Sequence, residues 1–128
     1  MHLQQKRPAL PLLRLALALL LCACQPHKPE PPQTDGGDAR QGKRLLAQFQ
    51  CGSCHSIPGV EAAQGRAAPS LAQFAVRSYV AGRWPNNQAS LVRWITQPQR
   101  MDPATLMPDM GVSPDDARHM AAYLYTLQ

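Results

Sequence analysis

The sequence predicts a small all-α domain of three to five short helices, and three observations predict it. Apolar residues recur at helical spacing at both ends of residues 38–128. Caps and prolines stand where those periodic stretches begin and stop. No run alternates between apolar and polar residues as a half-buried strand does.

The first helix is expected to open after Asp38, a good N-cap. Gly42, Leu45, Leu46 and Phe49 fall at i, i+3, i+4 and i+7, one helical face. Arg40, Lys43 and Arg44 fall on the opposite face, which reads as solvated. Leu71, Phe74 and Ala75 hint at a shorter helix. Leu91, Trp94 and Ile95 suggest another, stopped by Pro98. The last helix is announced by Ser113-Pro114-Asp115-Asp116: an N-cap, a proline at the first position and acids in the first turn. Ala117, Met120, Ala121, Leu124 and Leu127 then share one face.

Composition narrows the function. The chain has 128 residues, enough for one domain. Its formal charge is +5, but from Cys24 onward ten basic residues face eight acidic ones, a balance of +2. That is too weak for an electrostatic nucleic-acid footprint, so no nucleic-acid partner is expected. A helical domain this small is marginal for an independent apolar core, so something other than polypeptide is expected at its centre.

The first 23 residues read as an address. Lys6, Arg7 and Arg14 precede an apolar run, Leu15–Leu21, that reaches roughly half the length needed to span a membrane. Leu21-Cys22-Ala23-Cys24 resembles the bacterial lipobox, which implies cleavage before Cys24 and its acylation. Cys22 fits less well, because bulky Leu21 would sit at the cut. Several acyl chains on one residue anchor stably, which places the domain on the periplasmic side of a bacterial membrane. Residues 24–37 form a tether, with Pro26, Pro29, Pro31 and Pro32 favouring extended polyproline II and Gly36-Gly37 ending it flexibly. About 13 such residues at roughly 3.1 Å each reach on the order of 40 Å. His27 reads as a solvated tether residue.

Cys51-Gly52-Ser53-Cys54-His55 is C-x-x-C-H, the attachment signature of one c-type haem. Two thiols add across the two vinyl groups of one porphyrin, and two intervening residues place both sulfurs over one edge of the ring. The next residue is then carried beneath the iron, where His55 supplies an axial nitrogen. Its other ring nitrogen needs an acceptor that fixes the ring. A thioredoxin-like pair would belong with a βαβ pattern that is missing. A zinc site would need further Cys or His at ligand spacing. A disulfide across two residues would be strained and would not call for His55. The cysteines are then accounted for: Cys51 and Cys54 for haem, Cys24 for lipid, and Cys22 removed with the signal.

The sixth ligand decides what such an iron does. A thioether raises the potential and closes the iron, favouring electron transfer. Met107 lies on an extended loop, and Pro108 forces it out of the helical region and stiffens the chain there. It is the first choice, with Met110 the runner-up and His119 behind them. Met120 reads as core, and Met101, close to Pro98, as a loop plug.

On Cys51–His55 and Met107-Pro108, residues 38–128 resemble the class I monohaem cytochromes c. The resemblance implies a small cytochrome c fold wrapped around one covalently bound haem. It implies that the last helix crosses closely at Gly42 and that Tyr123-Leu124 and Leu127 pack there. Ala68-Pro69-Ser70-Leu71 is similar to the family's G-P-x-L, with Ala68 in place of glycine. It makes the Pro69 carbonyl the acceptor for His55. Tyr79, Arg83, Trp84 and Trp94 lie where the family wraps the haem propionates, and Arg83 and Trp94 are the candidates for that contact. Core packing for Trp94 and plain exposure for Arg83 remain the alternative. Residues 79–111 also look like the cytochrome domains fused to subunit II of some terminal oxidases.

The expected function is one-electron transfer, with no substrate turned over and hence no enzyme activity of its own. Expected partners are redox proteins: a dehydrogenase or quinol-oxidising complex upstream and a terminal oxidase downstream. Two alternatives stand beside it, an electron-entry subunit fixed in a dehydrogenase or oxidase complex, and a haem sensor with a displaceable ligand.

Overall fold

A computed structural model describes residues 34–128. The expected signal segment 1–23, Cys22, Cys24, His27 and the expected tether as far as residue 33 lie outside the described residues. Among the described residues there are four helices: α1 (Ala39–Gln48), α2 (Gln88–Thr96), α3 (Pro98–Met101) and α4 (Pro114–Leu124). Single 3-10 turns cover Cys51–Ser53 and Phe74–Val76.

Local chemistry explains where the helices begin. Asp38, Asn87 and Ser113 each accept the amide hydrogen of the residue three positions on, satisfying one orphan donor of α1, α2 and α4. The Gln41 amide holds the Asp38 carboxyl below its ordinary range, and the charges of Arg40 and Arg44 act in the same sense. Pro98 ends α2 as expected, but it also opens α3, where its missing N–H costs nothing.

The two terminal helices carry the domain. α1 packs on α4 along Gly42, Leu45 and Leu46, and α2 adds Leu91 and Ile95 from the side. Ala117, Met120, Ala121 and Leu124 fill the facing side of α4 and are buried, as their spacing predicts. At the crossing there is no room for a side chain on Gly42: a Cβ would overlap the His119 carbonyl and touch the Met120 backbone. His119 works from the same place, accepting at Nδ1 from the Asp38 amide at 2.9 Å. Tyr123 donates its hydroxyl to the Pro58 carbonyl at 2.6 Å, so the end of α4 also holds the loop after α1.

Three details differ from expectation. Gly36-Gly37 is tied down rather than free. Gln88 exchanges two 2.8 Å hydrogen bonds with the Asp35 backbone, and Gly37 is pressed against Arg118 and Ala122 of α4. A hairpin is present, with Tyr79–Val80 (β1) antiparallel to Trp84–Pro85 (β2) and Val80 opposite Trp84. Its strands are two residues each, too short for alternation to register, and its turn is carried by Ala81 and Gly82, both at positive φ. The helix hinted at by Leu71, Phe74 and Ala75 is a single 3-10 turn. Leu71 lies outside it because its amide donates to the Ser56 carbonyl at 2.8 Å instead of into a helix.

Replacing Gly42 tests the crossing. Gly42→Ala is expected to lower stability by about 2–3 kcal/mol, as overpacking against backbone does. Gln48→Ala, exposed on the same helix, should stay within about 0.5 kcal/mol. Urea unfolding of both variants reads the difference.

Candidate functional site

The end of α1 leads directly into the C-x-x-C-H segment. Cys51, Gly52 and Ser53 form the 3-10 turn, and the amides of Cys54 and His55 both donate to the Cys51 carbonyl, at 3.3 and 3.0 Å. The turn thus brings both sulfurs and the imidazole into one short loop. It is pressed so closely on the following chain that a Cβ on Gly52 would meet Ala63. Cys51 is half-buried against the core and Cys54 is exposed, and both thiols are free. Burial pushes the Cys51 thiol above its ordinary range, and the neighbouring Cys54 acts in the same sense. The thiol form is favoured there, which slows its oxidation.

His55 is fixed from its far side. Its Nδ1 lies 2.7 Å from the Pro69 carbonyl oxygen. A carbonyl only accepts, so Nδ1 carries a proton, and in the neutral ring the lone pair is on Nε2. Main-chain bonds on either side of Pro69 hold that carbonyl in place: Ala68 donates to Cys54 at 3.0 Å and Leu71 to Ser56 at 2.8 Å. Pro69 therefore rides on a segment stitched to the C-x-x-C-H loop itself.

A second network secures the chain beyond Pro69. Arg77 donates to the Ser70 and Ala72 carbonyls and lies over the Phe74 ring. Asn86 donates from Nδ2 to the Phe74 and Arg77 carbonyls, both at 3.0 Å, and accepts at Oδ1 from the Tyr125 hydroxyl at 3.1 Å. Neither Arg77 nor Asn86 was singled out from the sequence. An asparagine that bonds distant main chain has no local pattern to reveal it.

The other expected site residues are placed as follows. Met107 and Met110 share the irregular stretch between α3 and α4, Met107 half-buried and Met110 exposed. Met101 closes α3 half-buried, and Met120 is fully buried core. His119 is engaged with Asp38 at the helix crossing. Arg83 is exposed at the hairpin turn and pairs with Asp102 at 3.1 Å. Trp94 is half-buried against Trp84, ring centres 5.4 Å apart. Cys51, Cys54, His55 and Pro69 are thus joined by direct bonds, while Arg83 and Trp94 are held by Asp102 and Trp84 and the methionines lie on other elements.

Residues 39–128 match the family model for cytochrome c. The chain belongs to the cytochrome c family. It is similar to cytochrome c oxidase subunit 2 of Alkalihalophilus pseudofirmus, 32% identical over 91 residues, covering 70% of this chain and 26% of that one. It is similar also to cytochrome c oxidase subunit 2 of Bacillus subtilis, 33% identical over 89 residues, covering 68% and 25%. The chain spans about a quarter of the length of these relatives.

Membership of the cytochrome c family implies haem, and the donors present fit one. The imidazole has a free Nε2 lone pair and a settled orientation. Two unpaired thiols flank the turn before it, and thioethers are available on the loop after α3. Among the described residues, no group of three His, Cys, Asp or Glu side chains offers a rival metal site. Among them too, no helix is long and apolar enough to cross a membrane.

Tyr125 reports on the wall of this cytochrome c domain. Burial pushes its hydroxyl up to about 12. The unfolded chain loses that proton near pH 10. The folded state therefore binds the proton more tightly, and stability is level below about pH 10 and falls as pH rises toward about 12. Tyr125→Phe should make that fall shallower and cost about 1 kcal/mol at neutral pH for the bond to Asn86. Thermal unfolding midpoints against pH measure both effects.

Proposed function

We propose that this protein is a one-electron carrier of extracytoplasmic respiratory chains, working through one haem c attached at Cys51 and Cys54 and held axially by His55 and Met107. The bond from His55 Nδ1 to the Pro69 carbonyl carries the reading. It orients the imidazole and raises its basicity while leaving Nε2 free for iron. A bound haem c supplies a single-electron couple at its iron.

The chain's own residues supply the rest. The two thiols tie the group to the loop that follows α1. His55 is locked from behind by a segment bonded to its own loop, so its ring would meet the iron in one set orientation. Met107 offers a soft thioether, which favours the reduced iron and raises the potential. Pro108 keeps Met107 out of helical geometry. Leu71, half-covered and bonded through its amide to the Ser56 carbonyl beside His55, adds apolar cover on the histidine side. Arg83 and Trp94 are the candidates for the propionates, Arg83 with guanidinium donors to spare beyond the one on Asp102.

Partners follow from the relatives and the N-terminus. A terminal oxidase is the acceptor suggested by similarity to oxidase subunit 2, with a dehydrogenase or quinol-oxidising complex as donor. Lipidation at Cys24 would hold the domain on the periplasmic side of the membrane through the 24–37 tether. The same similarity favours a second reading, an electron-entry subunit fixed in such a complex. Co-purification with an oxidase or dehydrogenase after mild detergent extraction separates it from the free carrier.

Exchanging the proposed sulfur ligand tests the site. Met107→Ala should retain covalent haem, lose the sulfur-to-iron charge-transfer band of the oxidised form and lower the potential by on the order of 0.1 V, within the roughly 0.8 V range that axial ligands command. Met110→Ala should keep both the band and the potential. The reverse pattern would assign the ligand to Met110.

A further inference from the structure

Met107 stands on a weak foundation. Residues 105–113 have no regular secondary structure, and its neighbours Leu106 and Met110 are 99% and 41% exposed. A ligand on such a loop needs its main chain held by something other than packing.

Two hydrogen bonds do this, one on each side of the residue. The Met107 amide donates to Thr105 Oγ1 at 3.2 Å. The Met107 carbonyl accepts from Gln99 Nε2 at 3.1 Å. Both partners are anchored to firmer structure. Gln99 lies in α3, whose first residue, Pro98, is among the most deeply buried side chains. The Thr105 amide donates to the Asp102 carbonyl at 3.0 Å. Asp102 is fixed in turn by its amide on the Pro98 carbonyl at 2.8 Å, by Ala104 on Oδ1 and by Arg83 on Oδ2, both at 3.1 Å. Pro108 has no N–H to give, so Gln99 is the side chain that holds the C-terminal side of Met107.

We propose that Gln99 is the positioning residue for the axial sulfur, holding the Met107 carbonyl so that the thioether stays on iron. The inference rests on Met107 being the ligand. Gln99 would act through the main chain of Met107. Removing it loosens the loop and raises the population in which the sulfur has left.

Imidazole, which competes with Met107 for oxidised iron, is the probe. In the full haem-loaded protein, Gln99→Ala should bind imidazole about fivefold more tightly, the factor one net hydrogen bond supplies. Its charge-transfer band should also be lost at lower pH than in the wild type. Gln99→Glu is isosteric but opposes a carboxylate to a carbonyl at neutral pH, so its effect should be larger. A merely structural role for Gln99 would lower the thermal unfolding midpoint of both variants without changing imidazole affinity or the band. Wild-type affinity and band in both variants, with Met107→Ala losing the band, would overturn the role of Gln99 and leave the ligand reading standing. A band that survives Met107→Ala would overturn both.

Discussion

The contact on which the rest depends is the crossing of α1 over α4 at Gly42. The helices approach until the His119 carbonyl occupies the space a side chain would need. That approach buries Leu45, Leu46, Met120 and Ala121 against one another. It also fixes two leads into the site. The last turn of α1 runs straight into Cys51, and the end of α4 holds Pro58 through Tyr123. A domain this small has little apolar core to spare, so a close backbone contact replaces side-chain volume.

The two sides of the proposed haem site are built differently. The histidine side is held by main chain: Pro69 accepts from His55 while its neighbours bond to Cys54 and Ser56. Such a ladder is insensitive to side-chain identity. The methionine side is held by side chains, with Gln99 and Thr105 gripping an irregular loop. In the proposed carrier, a rigid imidazole and an adjustable thioether would let both ligands stay while only an electron moves, and would leave the methionine side as the place to tune the potential.

The helices were legible in the sequence because each carried its own start signal and its own apolar face. Asp38 and Ser113 cap where expected, and the spaced residues within both terminal helices are buried where expected, while Phe49 and Leu127, just past the helix ends, are only partly buried. The C-x-x-C-H loop was legible because its chemistry is local. The hairpin was not, since two-residue strands have no periodicity to read. Nor were Asn86, Gln99 and Gln88, polar side chains that serve backbone groups far along the chain. The anchoring of Gly36-Gly37 was missed for a related reason: glycine reads as freedom until a helix is found packed on it.

The central claim is that one porphyrin is bonded to this chain through Cys51 and Cys54. The pyridine haemochrome spectrum of the exported protein, recorded with extraction into acidified organic solvent, tests it most directly. The account predicts one haem per chain, an α band shifted as saturation of both vinyl groups requires, and colour that stays with the polypeptide. Haem that passes into the organic phase, or a colourless exported protein, would contradict it.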